Sequence, residues 1–304
     1  MKARRAPGVD RDPGAQSRQP VGFSVLGLQV LVHCPDPELR RVLVGNFGAM
    51  ASAEEAPPDM EFRVERSETS WSLSPAQPGG ETLAAVDSSD LLFLLEKQLT
   101  LELQRRRPHL FFLHAAAIAL GGKACLFAAE SGAGKSTTTW AMLHHGFDYL
   151  TDELSAVDIS SMRVFPYPHA ICLKRPPPHS YPLPPAAMHL GRTLHIPACS
   201  LPAAAASEAA PVAAVFFLKY QPDRRTPELR PIGPAEAGAR LYANALNALA
   251  HPAHGLDAVA RIAEQVPCFS LSSAGLPSTC RLIRAAFEEA LADVPPSGMK
   301  RRAA

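Results

Sequence analysis

The stretch that most restricts the fold runs from Lys123 to Gly146. There an apolar run, KACLFAA, passes into a glycine-rich turn, ESGAGKS, and on into a helical pattern, TTTWAMLHHG. Residues Ala129 to Ser136 match the phosphate-binding loop pattern, with alanine in place of the first glycine. That position leads out of the strand and accommodates a methyl group, whereas Gly132 and Gly134 fall where backbone amides must approach phosphate oxygens. Successive N–H groups and the positive end of the following helix form an anion cradle. The candidate nucleotide-binding residues are therefore Ser131, Gly132, Ala133, Gly134, Lys135, Ser136 and Thr137. Lys135 is expected to reach the β- and γ-phosphates and Ser136 to ligate magnesium, so ATP and Mg2+ are the expected cofactors.

Two flanking signals add chemistry. Upstream, HLFFLHAAAIAL and KACLFAA are separated by Gly121 and Gly122, a spacing that predicts a tight hairpin. With the two glycines at the centre of the turn, Leu120 faces Lys123 and His114 falls opposite Ala129, at the mouth of the loop. An imidazole there steadies a γ-phosphate or orients a carboxylate. The alternative is a satisfied histidine on an apolar strand, because a slip of one residue turns the ring to the other face. Downstream, the TDE of residues 151–153 ends a strand that, if parallel to the loop strand, brings Asp152 and Glu153 to the same carboxyl edge of the sheet. One carboxylate there can hold magnesium, with Ser136 and Glu153 as the candidate metal residues, while the other takes a proton from an attacking hydroxyl.

Together these elements resemble the catalytic domain of the HPr kinase/phosphorylase family, bacterial enzymes that phosphorylate a serine on a carrier protein. The resemblance is strongest from His114 to Asp158. His114 lies 21 residues before Lys135 and Asp152 lies 17 after it, and GF, DYL and TDE stand at the corresponding helix exit and strand. The resemblance implies a P-loop kinase fold of the α/β class. It assigns Asp152 as general base, His114 as the histidine near the transferred phosphate, and Lys135 and Ser136 to nucleotide and magnesium. Asp152, His114 and Lys135 are the candidate catalytic residues. Glu153 occupies the place of a second aspartate. The family's glutamate-containing segment about 40 residues beyond the loop lysine has no counterpart in KRPPPHSYPLPP. Reverse phosphorolysis and the carrier protein as substrate therefore do not carry over. Lys174, closing ICLK, reads either as charge near the phosphates or, more simply, as a solvated strand-end lysine.

The rest of the 304-residue chain gives an expected domain plan. Residues 1–20, charged and rich in Gly and Pro, read as a disordered tail without the apolar segment of a secretory signal. Residues 21–85 read as a small α+β domain, with FSVLGLQVLVHC and MEFRVE as strands around a helix in PELRRVLVGNFGAM. Residues 86–107 read as a helical connector with an Asp and Ser start signal and apolar positions every three or four residues. Residues 108–304 are the expected catalytic domain. Within them FDYLTDELSAVD reads as one strand with its exit loop, and the Pro- and Ala-rich span from Lys174 to Pro211 as loop or lid. VAAVFFLKY and VPCFSL read as strands, and PAEAGARLYANALNALA, GLDAVARIAEQV and STCRLIRAAFEEALADV as helices.

Charge is balanced at 30 Lys and Arg against 29 Asp and Glu, which argues against a nucleic-acid or anionic-membrane partner. Six scattered cysteines show no metal-ligand spacing and fit reduced thiols in the cytoplasm. No apolar run reaches the ~18 residues of a membrane span. The expected activity is ATP-dependent phosphoryl transfer to a serine hydroxyl on a small protein or peptide, in a chain that can form a homo-oligomer. Two other readings stand beside it: a P-loop ATPase or switch with Glu153 orienting water, and a nucleotide-binding scaffold without turnover.

Overall fold

The computed structural model describes residues 19–52, 57–77 and 79–292. The expected disordered tail lies, for its first 18 residues, outside them. The chain is a mixed α/β protein with several sheets.

The first sheet has the order β1-β2-β3-β4-β5, from β1 (Val21–Val25), β2 (Leu28–His33), β3 (Met60–Arg66), β4 (Trp71–Pro75) and β5 (Leu83–Ala85). FSVLGLQVLVHC, read as a single strand, is a hairpin. Leu26 and Gly27 both take positive φ, 50° and 70°, the two-residue turn that matches strand twist. Alternate residues Val21, Phe23, Val25, Leu28, Val30 and Val32 face inward. Helix α1 (Pro37–Phe47) covers that face with Leu39, Leu43 and Phe47, whose ring stacks on Phe23 at 4.6 Å. Its N-terminus is capped by Asp36, which accepts from the Leu39 N–H at 2.9 Å.

Helix α2 (Ser88–Arg106) is capped by Asp87, which accepts from the Ser89 and Asp90 N–H groups. It buries Leu91, Leu92, Leu95, Leu99 and Leu103 in a cluster shared with the first sheet and with Leu110, Phe112, Leu154 and Tyr167. Its leucine face thus joins the first sheet to the main one, while Phe93, Lys97, Leu101 and Arg105 stay exposed.

The main sheet is built from β6 (Leu110–Leu120), β7 (Lys123–Ala128), β8 (Asp148–Thr151), β9 (Leu154–Asp158), β10 (Arg163–Phe165), β14 (Ala210–Tyr220), β15 (Glu228–Ile232) and β16 (Cys268–Ser273). Between them in sequence, β11 (Ile171–Leu173), β12 (Met188–Leu190) and β13 (Thr193–Ile196) form a separate three-stranded sheet in the order β11-β13-β12. The Pro-rich span expected to be loop or lid thus contains two strands. Its prolines from Pro176 to Pro202 occupy the connections, where a missing donor costs no ladder bond, and Pro211 sits at the start of β14. FDYLTDELSAVD, expected as one strand, is the two strands β8 and β9, broken at Asp152 and Glu153.

Strand β6 changes partners midway. Residues Leu110 to His114 pair with β9, and Ala115 to Leu120 pair with β7. Gly121 and Gly122 form the turn with φ of 59° and 74°, and Leu120 faces Lys123 as the spacing predicts. Strand β8 is antiparallel to β6, as is β7, so β7 and β8 run in the same sense and end at one edge. Strands β14 and β16 continue that parallel set.

The helices α3 (Lys135–Leu143) and α6 (Leu276–Ala292) cover one face through Trp140, Leu143, Ile283 and Phe287. The helices α4 (Pro234–Ala243) and α5 (Leu256–Gln265) cover the other through Ala237, Leu241, Val259 and Ile262. The helix expected over PAEAGARLYANALNALA stops at Ala243. The Asn247 side chain instead bonds the Phe112 N–H and the Leu110 carbonyl, tying the following turn to β6. Among the described residues no helix is long and apolar enough to cross a membrane.

Candidate functional site

The site forms where β7 and β8 end. The turn after β7 closes on itself, with the Ala133 N–H donating to the Glu130 carbonyl at 3.1 Å. Gly132 and Gly134 hold φ of 86° and 93°, which side chains other than glycine rarely adopt. A Cβ on Gly132 would meet open space, so the torsion, rather than crowding by protein, calls for glycine there. Helix α3 starts on Gly134 with no side-chain cap, unlike α1 and α2 with their aspartates. The N–H groups of its first turn, at Lys135, Ser136 and Thr137, have no intrahelical partner. Ser131 and Gly132 are exposed, Ala133, Gly134, Ser136 and Thr137 are half-buried, and Lys135 is buried.

Lys135 and Asp152 meet inside the sheet edge. The Lys135 ammonium donates to the backbone carbonyl of Asp152 and stands 3.8 Å from Asp152 Oδ1. Asp152 is 2% exposed, and Oδ1 finds no hydrogen-bond partner among the described residues. Burial pushes its carboxyl above the ordinary carboxylate range. Lys135, the Ser136 hydroxyl and the Cys172 N–H pull it back, and the neighbouring Glu153 adds to the rise. Glu153 itself is exposed at the break between β8 and β9.

His114 sits where β6 passes from β9 to β7, half-buried, with its backbone N–H donating to the Asn244 carbonyl at 2.7 Å. Burial and the charges of Lys135 and Lys174 push its imidazole toward the neutral form, against the pull of Glu153. The electrostatic neighbours expected of a histidine at the loop mouth are therefore present.

Two further residues come from segments that carry no motif. His169 is buried, its Nδ1 is unpartnered among the described residues, and burial drives its pKa down to about 4. Glu96, on α2, is half-buried; its Oε1 is closed off from solvent and likewise unpartnered. Burial, with the repulsion of Glu153, raises its carboxyl to about 8. Glu96 sits in a leucine-rich helix and reads in sequence as a solvated face residue, so only packing reveals it.

Strand β11 brings the last group. The Lys174 ammonium, just past its end, donates to Ser131 Oγ at 2.8 Å.

Among the described residues, no three or more His, Cys, Asp or Glu side chains are grouped as a metal site. Magnesium at a phosphate site does not require such a group, because phosphates and water supply most of its ligands. The Ser136 hydroxyl bonds the Asp152 carboxylate. Glu153 is adjacent in sequence but opens to solvent.

No family model matches the sequence, and no curated protein does. Among solved structures, the chain is similar to the HPr(Ser) kinase/phosphatase from Coxiella burnetii at 12% identity and a TM-score of 0.28. The match spans 58% of this chain and 98% of that one. A likeness of that size leaves function to rest on the geometry of the site itself.

Proposed function

We propose that the protein is an ATP-dependent kinase that moves the γ-phosphoryl group to a hydroxyl, with a serine on a small protein or peptide as acceptor. The observation that carries this reading is Asp152: a buried carboxylate with one oxygen free of hydrogen bonds, beside the lysine that opens the helix after a positive-φ glycine turn. A general base works best when its pKa lies closer to the operating pH, and burial moves Asp152 in that direction.

In this reading the loop amides and the uncapped first turn of α3 hold the phosphates, and Lys135 offsets the charge of the outer two. Ser136, with the exposed Glu153, would hold Mg2+, whose charge offsets that of the triphosphate. Asp152 Oδ1 accepts the proton of the acceptor hydroxyl. His114, held neutral by burial and two lysines, donates a ring N–H toward the transferred group or fixes the carboxylate.

The test is transfer from ATP labelled at the γ-phosphate, with Mg2+ and a lysate of the source organism, comparing wild type with Asp152→Asn. A labelled protein or peptide seen only with wild type is the expected result. Label released only as free phosphate would replace the kinase by an ATPase, and nucleotide binding without turnover would leave a scaffold.

A further inference from the structure

We infer that Lys174 is a second phosphate-binding cation, delivered to the outer phosphate by β11, and that it discriminates nucleoside triphosphate from diphosphate. The inference rests on the nucleotide reading of the loop. From the residues alone Lys174 reads either as charge near the phosphates or, more simply, as a solvated strand-end lysine, and three observations favour the first.

The ammonium is hydrogen-bonded to Ser131 at 2.8 Å, on the loop itself. Ser131 belongs to the half of the loop that leaves β7, whereas the backbone N–H groups at the helix start take the inner phosphates and the Lys135 side chain reaches the outer two. Moreover, Lys174 and Lys135 both lower the pKa of the His114 imidazole electrostatically, against Glu153, so the charge of Lys174 is felt in the same site as that of the loop lysine.

The third observation is the fixing of the strand that carries it. Ile171, Cys172 and Leu173 pair with Ile196, His195 and Leu194 of β13, and the Cys172 N–H is bonded to Asp152. His195 is in turn held by Asn46 of α1 at 2.7 Å. The residue that follows Leu173 therefore leaves from a backbone tied to the proposed base, and its exposed side chain ends on the loop. With a triphosphate in the loop, the ammonium exchanges the neutral Ser131 hydroxyl for an anionic oxygen, a stronger hydrogen bond.

The test measures the affinities of full-length wild type, Lys174→Met and Lys174→Arg for ADP and for a β,γ-imido analogue of ATP, both with Mg2+. Lys174→Met is expected to weaken the triphosphate analogue about tenfold while changing ADP by no more than about twofold, as loss of one charge-assisted contact predicts. Lys174→Arg, which keeps the charge, is expected to stay within about threefold of wild type for both. Melting temperatures equal to wild type show that the exposed substitutions leave the fold intact. Equal weakening of both nucleotides, or of neither, overturns the inference. Wild type that binds neither nucleotide overturns instead the nucleotide reading beneath it.

Discussion

Two buried polar clusters meet at Cys172, and they differ in how completely they are satisfied. On one side, Asn46 Nδ2 donates to the Val42 carbonyl, which leaves Oδ1 to accept from His195 Nδ1–H at 2.7 Å. His195 Nε2 meets the Thr193 hydroxyl at 2.8 Å, and that hydroxyl also reaches the Leu190 carbonyl at 3.1 Å. Burial favours the neutral imidazole in this network, lowering its pKa to about 4. On the other side, Asp152 Oδ1, His169 Nδ1 and Glu96 Oε1 have no partner among the described residues; only Thr139 Oγ1 joins them in that condition. A buried polar group without a partner costs about 1–3 kcal/mol, so satisfied networks serve the fold, whereas orphaned ones are kept for a ligand or for chemistry. The satisfied network joins α1 to the three-stranded sheet, and the unsatisfied groups include Asp152, which meets the loop lysine.

Substitutions sharpen or break that contrast. The largest effect is expected at Asp152: Asp152→Asn should reduce phosphoryl transfer by at least about a hundredfold, with nucleotide affinity retained, in single-turnover assays. The same variant should melt higher than wild type at neutral pH. Because the folded carboxyl binds its proton more tightly than the unfolded chain does, wild-type stability declines as pH rises from the ordinary Asp range through the folded pKa, and asparagine removes that decline. A lower melting temperature for Asp152→Asn would place the residue with the structural cluster instead.

Next in size, Asn46→Ala should cost about 2 kcal/mol, a fall of about 5 °C, by stranding the His195 N–H, while transfer by the folded variant stays within about threefold of wild type. An unchanged melting temperature would remove the structural role from that network. Glu96→Gln should raise the melting temperature by an amount that grows with pH from about 4.5 to about 8 and is level above, the sign required of a carboxyl whose folded pKa is raised. Thermal melts across that range check it, and a pH-independent difference would mean that Glu96 ionises as it does in the unfolded chain. The smallest effect is in the rate profile of wild type. The acid limb of kcat/KM should lie above the ordinary Asp range, in the direction of the Asp152 shift, and a limb in the ordinary range would detach the base from Asp152.

Local sequence determined the parts that depend on neighbours along the chain. The strand, glycine turn and helix from Lys123 to Leu143 follow from an apolar run, two positions that need positive φ and a helix-forming segment. The hairpin pairing followed from Gly121 and Gly122, since a two-residue turn leaves one register. Helix α2 was legible from its leucine spacing, and its aspartate start from capping chemistry. Tertiary structure alone decided the rest. The break of FDYLTDELSAVD into β8 and β9 arises because β6 offers its edge to each in turn, a pairing set by residues more than 25 positions away. The strands β12 and β13 within the Pro-rich span form because they pair with each other and β13 also pairs with β11, which lies before the span, a ladder that no local propensity encodes. Glu96, His169 and Asn46 carried no signal, because their roles arise from what packing brings against them: burial removes water, and only the three-dimensional arrangement fixes whether a polar atom then meets a partner.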